Sequence, residues 1–195
     1  MRLPEPRTGG MPVEQTIAAR RSIRSYTEEP LSTEELAQLL WAAQGKTGDG
    51  RLRAAPSAGA TYPLVTYVVV ANVTGLEKGL YQYETDSHSL VLRKPGDLTA
   101  ELSELALQQG FLRKAAAIIV LAAVYERTTS VYGDRGTMYV HLDAGHAAEN
   151  ALLQATSLGL GAVPVGAFRT RSVGTTLGCP SDEAVLYMIP VGRPR

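Results

Sequence analysis

Helical and strand-like segments alternate along this 195-residue chain, which predicts an α/β or α+β sandwich. Three observations carry that prediction. Ala117–Val124 is an unbroken apolar run, as in a strand buried on both faces. Leu80–Tyr83 and Leu90–Arg93 flank Asp86-Ser87, as the arms of a hairpin would. Thr137–Leu158 is the longest helical pattern, stopped by Gly159.

The elements follow in order. Met1–Gly10 mixes charges, prolines and glycines and reads as a flexible N-terminal arm; residues 11–195 read as one domain. Pro12 suits the first turn of a helix that runs to about Arg20. Ser32-Thr33-Glu34-Glu35 is a capping box, and the helix after it places Leu36, Leu39, Leu40 and Ala43 on one face before Gly45. Lys46–Thr61 is a loop rich in glycine, alanine and proline. Tyr67–Ala71 is a β-branched strand. Asp97 caps a helix to about Gln109. Small residues from Ala144 to Ala155 on the long helix let another helix approach closely. Ala162–Phe168 and Ala184–Val191 are the last strands, with a short helix between them.

Composition excludes several function classes. Net charge is zero, and two phenylalanines and one tryptophan make no basic aromatic platform, which argues against nucleic-acid binding. The longest apolar run is too short to span a bilayer. Cys179 is the only cysteine, so no intramolecular disulfide forms and a cytoplasmic location is expected. His146 and Glu149 share a helix face, but the further ligands of a metal site are not suggested anywhere.

Against that neutral background, Arg20-Arg21-Ser22-Ile23-Arg24-Ser25-Tyr26 is the densest basic cluster. Guanidinium forks match phosphate oxygens, so the cluster suits a small phosphorylated ligand. Ala54–Pro63 is the second signal: small residues let backbone N–H groups approach a flat ligand, and prolines stiffen the loop. The third is Gly159–Phe168, whose glycines do not read as a dinucleotide fingerprint but leave a bare N–H near Gly166.

Together RRSIRSY, PSAGATYP, the stretch from Tyr139 to Phe168 and the closing PVGR resemble the nitroreductase-like FMN-dependent oxidoreductases, over about Val13 to Arg193. Within that superfamily, PSAGATYP, YGDRG and DAGHAAEN look most like the azoline-dehydrogenase-like (SagB-type) branch. That branch uses a Lys-Tyr pair as base; the comparable region here, Arg135 to Tyr139, has no lysine. The resemblance implies an α+β fold with a central, mostly antiparallel sheet flanked by helices, and an intertwined homodimer with FMN at its interface. It implies that Arg20, Arg21 and Ser22 hold the FMN phosphate and ribityl chain, that Arg24 lies by the pyrimidine edge, and that Arg193 completes the phosphate site. Pro56, Ser57, Ala58 and Gly59 would pack along the ring from the other subunit. Gly166 and Ala167 would offer N–H groups near flavin N5.

The implied activity is NAD(P)H-driven reduction of an electron-poor small molecule, a nitroaromatic or quinone, with the flavin carrying the chemistry. Arg24 is the residue expected to offset negative charge on the reduced ring. The alternatives are an azoline-type dehydrogenase with Tyr139 as base, or a flavin carrier without catalysis. No nucleic-acid or membrane partner is expected.

Overall fold

The computed structural model describes residues 1–48 and 50–195. Its centre is one six-stranded sheet in the order β3-β2-β1-β4-β6-β5, with every strand pair antiparallel. The strands are β1 (Leu64–Val70), β2 (Gly79–Glu84), β3 (Ser89–Pro95), β4 (Ala117–Val124), β5 (Gly161–Ala162) and β6 (Glu183–Gly192). The helices are α1 (Val13–Ala19), α2 (Thr33–Gln44), α3 (Thr99–Leu105), α4 (Glu126–Tyr132), α5 (Arg135–Ser157) and α6 (Thr170–Leu177). The fold is α+β.

β4 shows why its sequence carries no alternation. Ala117, Ile119, Leu121 and Ala123 pack into the core beneath α2 and α5. Ile118, Val120, Ala122 and Val124 pack into a second core beneath α3 and α6. Each face removes apolar surface from water, at about 25 cal/mol per Å². The capping box is formed in both halves: Glu35 N–H donates to Ser32 Oγ at 3.1 Å, and Ser32 N–H donates to Glu35 Oε2 at 2.8 Å.

Several elements depart from expectation. The helix after Asp97 stops at Leu105, because Leu107 and Gln108 take positive φ and a 3-10 turn, Gly110–Lys114, follows. The strand expected over 162–168 pairs only at Gly161–Ala162 and again at Val165–Met188; Pro164, between them, has no N–H for a ladder. α4 was not expected. The small residues of α5 (Ala144, Ala147, Ala148, Ala151 and Ala155) face the chain's own core. The first ten residues, expected to be loose, are tied along β3 and α2. Leu3 is buried and its N–H donates to the His88 carbonyl, while Gln38 takes both the N–H and the C=O of Arg7.

Candidate functional site

The arginine cluster is a pinned segment. α1 ends as Arg20 turns extended, and the chain then runs beside β5. Ser22 bridges Ala162, and Ile23 N–H donates to the Ala162 carbonyl at 3.0 Å. Gly161 makes this approach possible, since a Cβ there would lie 2.6 Å from Ile23 Cγ2. Tyr26 locks the far end. It is buried, its hydroxyl reaches the Ile23 carbonyl at 2.8 Å, and burial pushes that phenol well above its ordinary pKa, with Arg24 pulling the other way.

The segment between those anchors presents its polar side chains outward. Arg21, Ser22 and Arg24 are exposed and Arg20 is half-buried. Arg20 lies 3.6 Å from Glu149 of α5. Arg21 is steadied by the carbonyls of Ala18 and Arg20. Arg24 sits 5.9 Å over the Phe111 ring and, among the described residues, has no ion-pair partner. Beside Phe111, Gln109 donates to the Ala167 carbonyl at 3.0 Å. Gly166 and Ala167 are exposed, and neither N–H has a protein acceptor among the described residues. Gly166 follows the Ser22 partner Ala162 by four positions, and Val165 between them pairs with Met188. So Arg20, Arg21, Ser22 and Arg24, on the segment paired to Ala162, and the free N–H groups of Gly166 and Ala167 form one candidate strip, with Arg24 at the Phe111–Gln109 end.

Arg193 is placed differently from expectation. Its fork is bidentate on Glu35, at 2.9 and 3.0 Å, and its Nε lies 3.9 Å from Glu29. With three nitrogens turned to two carboxylates, it ties β6 to the start of α2.

Pro56, Ser57, Ala58 and Gly59 form a second group against α4 and α5. Ser57 Oγ accepts from Tyr62 N–H at 2.9 Å, and the Ala58 N–H donates to Asp143 Oδ1 at 3.3 Å. Gly59, Ala60 and Tyr62 all take positive φ, between 47° and 56°; only the glycine does so freely. Tyr139 belongs to this group. Its hydroxyl accepts from Arg135 Nε at 3.1 Å, and its ring stands edge-on to Tyr132, which covers Gly59. No hydrogen bond, ion pair or ring contact joins the two groups among the described residues.

Sequence reasoning gave two residues here no role in the site: Phe111, and Asp143, which reads in the sequence as an ordinary polar residue of the long helix. Phe111 carries Arg24 and had no sequence signal. Asp143 is 4% exposed and its Oδ2 is the one buried side-chain atom without a partner among the described residues. A carboxylate beside the small-residue stripe Ala144, Ala147 and Ala151 was a legible warning of a buried acceptor.

Comparison with known proteins gives one consistent neighbourhood. The family described as "Nitroreductase family" matches residues 17–193. A nitroreductase-family protein of Methanocaldococcus jannaschii is 46% identical over 181 residues, covering 93% of this chain and 90% of that protein. The NADPH-flavin oxidoreductase of Vibrio harveyi is 27% identical, covering 92% of this chain and 65% of that one. Among solved structures, a nitroreductase-family protein of Anabaena variabilis superposes with TM-score 0.83 at 34% identity; it covers 94% of this chain, which spans only 38% of that longer one. A chain of the E. coli microcin synthetase complex shares the fold at TM-score 0.79 and 20% identity, covering 97% of this chain and 75% of that one.

Proposed function

The chain belongs to the nitroreductase family, and from that premise we propose that it is an FMN-dependent NAD(P)H oxidoreductase acting on an electron-poor small molecule of nitroaromatic or quinone type. The observation that carries this reading is the strip that runs from Arg20, Arg21 and Ser22 along β5 to Gly166 and Ala167. Its chemistry fits FMN: exposed guanidinium and hydroxyl donors at one end suit a phosphate, and unclaimed N–H groups at the other suit a polar ring edge.

FMN, when bound, would supply the two-electron redox chemistry between NADPH or NADH and the acceptor. The residues supply position and charge. Arg21 and Ser22 hold the phosphate, with Arg20 oriented by Glu149. Arg24, steadied on Phe111, offsets negative charge at the pyrimidine edge. The N–H groups of Gly166 and Ala167 orient the ring.

The loop from Pro56 to Gly59 completes the site from a second copy in a homodimer. The separation of the two groups in one chain supports this. Val13 and Ile17 on α1, with Met138 and Leu142 on α5, supply exposed apolar side chains for that contact. A cytoplasmic location is consistent with the lone Cys179.

A second reading rests on Tyr139, whose hydroxyl is fixed by Arg135 next to the same loop. In it, Tyr139 is the base of a substrate dehydrogenase. One experiment separates these readings: the absorption spectrum of the purified protein, identification of the released chromophore by mass, then NADPH or NADH without oxygen. Rapid bleaching of bound FMN supports the reductase. Bound FMN that neither nucleotide bleaches favours the dehydrogenase or a flavin carrier, and a Tyr139→Phe variant with unchanged dehydrogenation removes the former. No flavin after reconstitution defeats all three.

A further inference from the structure

A cavity of about 410 Å³ opens beside Thr61 and Tyr62, where the Pro56–Gly59 loop turns into β1. Among the described residues, Lys46, Arg51, Arg53 and Arg127 line it, against one carboxylate, that of Asp86. Two structures bring these cations together. One is a narrow loop closed by the Lys46–Arg53 bridge, with Thr47 N–H on the Leu52 carbonyl and Ala54 N–H on the Gly45 carbonyl. The other is the first turn of α4, where Arg127 donates to the Tyr62 carbonyl at 3.3 Å.

The cavity is built rather than incidental. Arg53 stacks 4.5 Å over the Tyr62 ring and donates to Gln44 Oε1 at 2.9 Å; Gln44 is 4% exposed. Asp86 is occupied by Lys46 at 2.9 Å. Among the described residues, no carboxylate pairs with Arg51, Arg53 or Arg127. Burial draws the Arg53 guanidinium below its ordinary pKa, with Asp86 opposing and Arg127 adding to the shift. Four like charges gathered around one described carboxylate cost energy in the free protein and gain it when an anion arrives.

Three guanidinium forks with no carboxylate partner among the described residues suit a dianion with several oxygens better than a single carboxylate or a neutral polar group. We propose that this cavity, beside the Pro56–Gly59 loop, binds a phosphate monoester carried by the small molecule that exchanges electrons at the site which that loop completes in the homodimer, either the 2′-phosphate of NADPH or a phosphate on the acceptor. The identity of that molecule rests on the oxidoreductase reading; the phosphate chemistry does not.

The test is titration calorimetry of the protein as purified, at fixed ionic strength, with 2′-AMP and with inorganic phosphate as probes. The comparison is the Arg51→Ala/Arg127→Ala double variant, whose two side chains are exposed and lie outside the FMN strip. The expected result is binding of both probes to the parent, weakened at least about tenfold in the double variant, with flavin content and Tm unchanged. Tighter binding of 2′-AMP, with a raised KM for NADPH and an unchanged one for NADH, assigns the phosphate to the nucleotide. Equal binding of the probes with an unchanged KM for NADPH assigns it to the acceptor. No binding of either probe up to about 10 mM, or equal binding by parent and double variant, overturns the proposal. Flavin content is read separately. A flavin-free protein that binds phosphate only with these arginines keeps the cavity and loses the oxidoreductase reading, and the converse result does the opposite.

Discussion

Replacing Arg193 by alanine separates a structural tie from a phosphate ligand. The side chain makes two short charge-assisted contacts to Glu35, which is also half of the α2 capping box. Each such bond contributes about 1.5–3 kcal/mol in a sheltered setting. Here the two side chains are 30% and 17% exposed, so screening discounts the pair. Glu35 keeps its bond to Ser32 N–H in the variant, which limits the desolvation penalty left behind. A net cost of about 2 kcal/mol follows. In a domain of this size that lowers Tm by about 4–8 °C. The assay is thermal unfolding by circular dichroism at fixed protein concentration, with FMN affinity measured by flavin fluorescence. The expected outcome is the Tm drop with FMN affinity changed less than about threefold. A Tm within about 1 °C of the parent, with FMN bound tenfold more weakly, refutes the reasoning and returns Arg193 to the phosphate site.

Other consequences can be measured independently. Gly59→Ala puts a Cβ 2.5 Å from the Tyr132 hydroxyl at φ +56°, so it destabilises by about 1–3 kcal/mol in urea unfolding. Adding Tyr132→Ala recovers part of that loss, and strict additivity of the two changes counts against the contact. Burial pushes the Asp97 carboxyl up, but hydrogen bonds from the Thr99 N–H and hydroxyl and from Lys78 outweigh it and hold it below its usual value. Its contribution is therefore present above about pH 4 and lost as pH falls through the lowered folded value; the stability gap between parent and Asp97→Asn should close on acidification. Burial, then Glu183, push the Cys179 thiol up to about 11, with the nearby Tyr67 hydroxyl opposing. At pH 8 roughly one thiol in a thousand is then ionised, so a disulfide reagent should label the folded protein far more slowly than the urea-unfolded chain.

Much of the fold was legible because its signals are local. The capping box at Ser32 needs only four residues, and both of its bonds are present. The apolar run 117–124 became the central strand with matching bounds. The failures share a cause. The helix after Asp97 looked longer because propensity does not register the positive φ that Leu107 and Gln108 adopt. The small residues of α5 signalled close packing but not its partner, and that partner is the chain's own core.

Sequence by itself determined the fold class, the family and the chemical character of the arginine segment, since each is carried by residue order and spacing. Only tertiary structure decided who meets whom. It set Arg24 over Phe111 and Arg193 on Glu35, 158 positions apart. It also gathered Lys46, Arg53 and Arg127 around one cavity. A charge acts through space, at a distance set by packing, and along the chain nothing marks which carboxylate or ring will lie within a few ångströms.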